Sequence, residues 1–157
     1  MFPFTKTEPF ISINYPLPSM NKNHKLLLLI PALWASIFDI FITSFWQDPE
    51  YWKGDLSKAK ESNPIGAWFM SHHVSGLFVI SIIWIILIGV LGYYLPAKLR
   101  KVFLLFVLIA HSFGASTWLA RYHEFWSAII FILLNSVLYV LIEDYVNSKE
   151  AGRVEVD

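Results

Sequence analysis

Residues 33–46 read LWASIFDIFITSFW, an apolar run with one carboxylate, Asp39, set inside it. In water this would be an ordinary core helix, but the rest of the chain places it in a bilayer, where an ionisable group is expensive and must be answered by another part of the molecule. Apolar residues make up 56% of the 157 and aromatics 17%. With a mean hydropathy of +0.53, this is above the range of soluble domains. The composition defines an all-α, polytopic protein of the cell membrane, with one domain by length. Twelve Lys and Arg balance twelve Asp and Glu, which excludes a nucleic-acid partner driven by net positive charge. The lack of cysteine removes disulfides, thiolate ligands and thiol nucleophiles together.

Around this run the expected organisation is a four-helix, up-down transmembrane bundle over residues 25–146. Its spans fall at about 26–46, 74–95, 102–119 and 125–142, each close to the ~20 residues that cross a hydrocarbon core. Before it, residues 1–24 read as an extended arm rich in Pro and aromatic rings. The arm has neither the basic start nor the continuous apolar core of a signal peptide. After it, residues 147–157 form a charged tail. Residues 47–63, QDPEYWKGDLSKAKESN, read as a solvated outer loop with a short helix near 56–61. Pro31 is expected to kink the first span.

Asn63 or Ser62 is an expected N-cap, with Pro64 at the first helical position. The helical pattern then persists over residues 64–95, about 48 Å, more than the hydrocarbon needs. Residues 64–73, PIGAWFMSHH, are therefore expected at the outer interface or folded back on the bundle. Lys6, Lys22, Lys25, Lys98, Arg100, Lys101, Lys149 and Arg153 fall on one side of such a bundle. Lys53, Lys58, Lys60 and Arg121 fall on the other, among acids. The positive-inside bias therefore puts both termini in the cytoplasm.

Counting inward from the outer ends sorts the polar residues into two layers. Asp39 lies about 10 Å below the outer boundary, and His111 and Asn135 about 12 to 15 Å below it. The face of Asp39 carries Ala32, Ala35, Ser36, Thr43 and Trp46, which turns it into the bundle. At the rim are Glu61, Asn63, His72, His73, Arg121, His123 and Glu124, with Thr43, Ser116 and Thr117 between the layers. A polar column open to the outside is the simplest arrangement. Its deep layer reads either as a proton relay or ligand site, or as a hydrogen-bonded clasp that sets helix register.

His72, His73, His123 and Glu124, with Glu61, are the candidate ligands of a divalent metal, the one cofactor the residues suggest. Against it, consecutive helical residues point about 100° apart, and His123-Glu124 lacks the second histidine of a zincin helix. Haem is disfavoured, because His111 lies about 15 to 20 Å deeper than His72 or His73. Ser112 and Ser116 lack the surroundings of a hydrolase nucleophile.

Asp39, Thr43 and the run Glu61-Ser62-Asn63-Pro64 together resemble a class of small uncharacterised bacterial and archaeal membrane proteins. In these, a first helix with Asp and, four residues on, Thr is followed by a Glu-x-Asn-Pro start to the second. The resemblance covers the first half of the membrane region. This chain departs from the pattern in its longer loop and its His pair. The resemblance implies no activity and marks Asp39, Thr43, Glu61, Asn63 and Pro64 as site candidates.

Two functions are carried forward. One is a non-enzymatic subunit or ligand- or lipid-binding module with an outward-facing polar pocket. Its binding residues would be Thr43, Glu61, Asn63, Ser116, Arg121 and Asn135, and its partners membrane lipid, other membrane subunits or a second copy of the chain. The other is a membrane-embedded metal- or acid/base-dependent hydrolase using Asp39 and His111, with the His72/His73 rim at its mouth.

Overall fold

Asn21 accepts a hydrogen bond from the Asn23 N–H and so caps α1 (Lys22–Phe45), which runs unbroken through Pro31. The computed structural model describes residues 21–154, with side chains through residue 152. The N-terminal arm up to residue 20 and the end of the charged tail lie outside these residues. Among the described residues the chain is all-helical. After α1 come α2 (Pro49–Trp52), a 3-10 turn (Leu56–Lys58), α3 (Pro64–Met70), α4 (Gly76–Tyr94), α5 (Ala97–Tyr122) and α6 (Phe125–Val154).

Four of these helices, α1, α4, α5 and α6, are long and apolar enough to cross a membrane. Their outward faces are equally apolar. On α1 the exposed large residues are Leu26, Ile30, Trp34, Ile37, Phe41 and Phe45, a stripe at helical spacing. A face of that size marks a surface made for lipid or for another protein.

α1 and α5 form the central pair, and α4 and α6 flank it, each touching both. Leu29 near the start of α1 packs with Leu104 near the start of α5 and with Ile88 of α4. The approach is close because Gly92 of α4 has no Cβ; one placed there would stand 2.2 Å from Leu29 Cδ2. At the other end Ile42, Ala115, Leu119, Ala128 and Phe131 join α1, α5 and α6. At the end holding the termini, His24 Nδ1 of α1 pairs with Glu150 of α6 at 2.5 Å, and Lys101 pairs with Glu143.

Residues 47–63 are largely exposed, with a short helix at Leu56–Lys58, and together with α3 and the start of α4 they also form a cap with a small core of Tyr51, Met70 and Leu77. One expectation is corrected: the helical pattern over residues 64–95 is broken at residues 71–75. A break frees backbone carbonyls, and here buried Tyr51 turns its hydroxyl on them, donating to Val74 O at 2.9 Å and His73 O at 3.3 Å. Gly76 makes the reversal tight: a Cβ on it would lie 2.1 Å from the Phe69 carbonyl oxygen. At the same end of the bundle α5 continues to Tyr122, so His123 and Glu124 alone form the link to α6, with Glu124 at φ 151°.

Candidate functional site: a carboxylate, an imidazole and an indole

Between residues 31 and 47 of α1, 76 and 92 of α4, 102 and 120 of α5, and 125 and 137 of α6, the only ionisable side chains are Asp39 and His111. They meet. His111 Nδ1 lies 2.8 Å from Asp39 Oδ2, across the central α1–α5 contact. The Trp84 indole N–H of α4 donates to His111 Nε2 at 2.6 Å. Three helices are thus joined by one chain of two hydrogen bonds.

Donor counting fixes the protons in this chain. An indole nitrogen only donates, so Nε2 is the accepting, bare nitrogen. A neutral imidazole carries its one proton on the other nitrogen, so Nδ1–H donates to Asp39. His111 is therefore neutral in this arrangement and Asp39 has no ion-pair partner in it. The carboxylate lies against the α5 backbone at Gly114, where a Cβ would come within 2.8 Å of Oδ2 and 2.9 Å of Oδ1.

The cap brings a second carboxylate to this end. Gln47, buried at the end of α1, pairs by both halves of its amide with the Lys60 backbone: Nε2 donates to Lys60 O at 2.8 Å, and Lys60 N–H donates to Oε1 at 2.7 Å. This clip holds the next residue, Glu61, whose Oε1 accepts from Asn63 N–H at 2.6 Å. Gly66 gives it room, since a Cβ there would stand 2.9 Å from Glu61 Cγ. Asn63 caps α3, accepting from Ile65 N–H at 3.0 Å, with Pro64 at the first helical position.

Burial pushes the Glu61 carboxyl above its ordinary value of 4.5. The Asn63 N–H opposes this, the Asp39 charge adds to it, and the Ser62 N–H and His111 act downward. The sign for stability follows. Above pH 4.5 the unfolded chain has lost this proton while the folded chain still holds it, so stability falls as pH rises through the folded value. Thermal unfolding in detergent from about pH 4 to about pH 8 should show this decline, and Glu61→Gln should flatten it. An identical slope in the variant would refute the assignment.

Other expected site residues lie elsewhere. Asn135 has the expected depth but not the expected partner: its Nδ2 donates to Ser112 Oγ at 2.9 Å. His111 and Ser112 are consecutive on α5 and face different neighbours, so α4 reaches one and α6 the other. Asn135 Oδ1 is buried without a hydrogen-bond partner. Ser116 donates to Ser112 O at 2.5 Å, and Thr43 is buried. Arg121 is exposed, with its guanidinium over the Tyr122 ring.

The rim histidines do not gather. His72 Nδ1 lies on Trp68 O at 2.6 Å, His73 Nδ1 on Ser75 Oγ at 2.8 Å, and the His123 ring stands edge-on to Trp46. Among the described residues no three His, Asp or Glu side chains come together as metal ligands. His72, His73, His123 and Glu124 are thus not brought together: the first two lie in the break after α3, and His123 stands against Trp46 in the link to α6.

Trp84, Gln47 and Gly66 escaped sequence reasoning. Trp84 carried a usable signal. Tryptophan belongs at membrane interfaces, and one about 12 Å inside its helix end has an N–H that must find an acceptor.

Among the described residues the fold and the site together define an all-helical protein with four potential membrane spans and a part-buried carboxylate–imidazole pair between α1 and α5. Comparison with family models, curated proteins and solved structures finds no match to the chain, so the functional argument rests on these residues.

Proposed function

We propose that the protein is a small non-enzymatic module of the cell membrane that holds a lipid chain against its α1–α4 face. What supports this is a shallow, open apolar groove between these helices. One part is lined by Ile37, Ile40, Ser81, Ile82, Ile85 and Ile86, and Phe78 joins it to a second part beside Trp52, Phe41 and Phe45. No charged residue lines either part, and the groove runs along two spans, so its natural occupant is an acyl chain. Moving from lipid to groove gains no hydrophobic energy, so shape and dispersion contacts select the chain.

The basic residues at the end holding the termini favour a cytoplasmic location for that end, with the cap outside. The hydrolase alternative is weakened by Trp84. A general base needs a nitrogen within reach of the proton it takes, and here Nδ1 serves Asp39 while Nε2 serves Trp84.

Mass spectrometry of protein purified in mild detergent should find stoichiometric lipid, lost when Ile82→Trp fills the groove. Lipid-free native protein, or equal retention by the variant, would sink this reading. The same preparation tests for a subunit, through co-purifying chains.

A further inference from the structure

We infer that the Asp39, His111 and Trp84 chain is a proton-binding site whose occupancy decides whether α4 is hydrogen-bonded to α5. The inference is independent of lipid binding. It follows from the roles of the three groups: a carboxylate that accepts, an imidazole whose one bare nitrogen accepts, and an indole that can only donate. Nε2 is the only imidazole nitrogen with a lone pair to take a proton. When a proton from water bonds to Nε2, an N–H faces an N–H, and the 2.6 Å hydrogen bond from Trp84 cannot persist. Nδ1–H stays on Asp39, now as the contact of a cation with a carboxylate.

The surroundings suit a proton better than any larger cation. The groups facing His111 are Asp39 from α1, Trp84 from α4 and, acting through space, Glu61 from the cap. Between residues 125 and 137 α6 has no titratable side chain. The acids are thus in excess, with no Lys or Arg bonded into the chain. Lys60, next to Glu61, reaches Asp48 at 3.5 Å. No metal-holding group of side chains is present among the described residues. Nor is the pair sealed by protein: the His111 and Asp39 side chains keep 17% and 18% of their surface uncovered.

A proton is small enough to use the arrangement as it stands. It cancels the unpaired negative charge, a large gain in hydrocarbon, at the expense of one neutral hydrogen bond. Because Trp84 is, among the described residues, the only polar link from α4 to the pair, the proton's arrival removes the hydrogen bond from α4 to α5 and leaves α1 and α5 joined, with α4 still held by its apolar packing.

Nitrogen-15 NMR on histidine- and tryptophan-labelled protein in detergent micelles tests this, with signals assigned through His111→Gln and Trp84→Phe. At about pH 8 the His111 ring should be a single neutral tautomer with its proton on Nδ1. On acidification to about pH 5 it should become imidazolium, and the Trp84 indole N–H signal should move in step. In Trp84→Phe the ring should still take up the proton, whereas Asp39→Asn, without the negative charge that the proton cancels, should leave the ring neutral over this range. A His111 ring that stays neutral throughout, or that gains a proton while the Trp84 signal stands still, overturns the inference and leaves a structural clasp only. If Asp39→Asn fails to fold, the wild-type and Trp84→Phe titrations still decide it.

Discussion

Replacing His111 with leucine should destabilise the protein by about 3 kcal/mol, the upper range for losing a hydrogen bond to a charged group whose acceptor is left without a donor. The substitution removes the Nδ1–H that Asp39 accepts and leaves a carboxylate against the Gly114 backbone with no donor in its place. The double variant Asp39→Leu, His111→Leu should recover most of the loss, because two apolar side chains in hydrocarbon require no partner. Reversible denaturation in detergent micelles measures both. The size of the single effect is diagnostic: hydrogen bonds between neutral groups in membrane helices average about 0.6 kcal/mol. A loss near that value would mean that Asp39 is carried protonated, and a double variant no better than the single would refute the coupling.

Gly76→Ala should be nearly as damaging, for a reason unrelated to charge. Its new methyl would fall 2.1 Å from the Phe69 carbonyl oxygen and 2.4 Å from the carbonyl carbon. These are backbone atoms and cannot swing aside as the end of a side chain does. The turn between α3 and α4 must open, and Met70, Leu77 and Tyr51 lose their packing together. A loss of about 3 kcal/mol or more is expected from overpacking and exposure of this small core. The cap should become cleavable by added protease while the four long helices keep their far-ultraviolet circular dichroism. Unchanged protease resistance would show that the turn relaxes more easily than this geometry allows.

The spans were legible because hydropathy and length need no knowledge of neighbours. The pairing of Asp39 with His111 was legible for a similar reason: they are the only ionisable groups at that depth, and counting 1.5 Å per residue brings them level. Direction around a helix axis was not legible from one chain. Depth alone made Asn135 a partner for the same pair, whereas one residue along α5 turned that contact to Ser112. The cap was hidden for a different reason. Its composition is polar, as a loop's is, and its order comes from a few specific contacts, namely the Gln47 amide on the Lys60 backbone and the Tyr51 hydroxyl on the carbonyls before α4. Neither contact has a periodic trace in sequence. His72 and His73 face different partners because the chain changes direction there, in addition to the 100° between consecutive helical side chains.

The separation of 72 residues between Asp39 and His111 sets a timetable for biosynthesis. At about 5 to 20 residues per second, the ribosome delivers the imidazole roughly 4 to 14 s after the carboxylate. Trp84 emerges in between, but without the imidazole its N–H has no site on the pair. For those seconds α1 holds an acid in the middle of an apolar segment with its partner not yet made. Its entry into the bilayer is therefore provisional until α5 arrives, and nascent chains ending before His111 should keep α1 within reach of the insertion machinery, as crosslinking from α1 in ribosome-bound chains of increasing length would reveal.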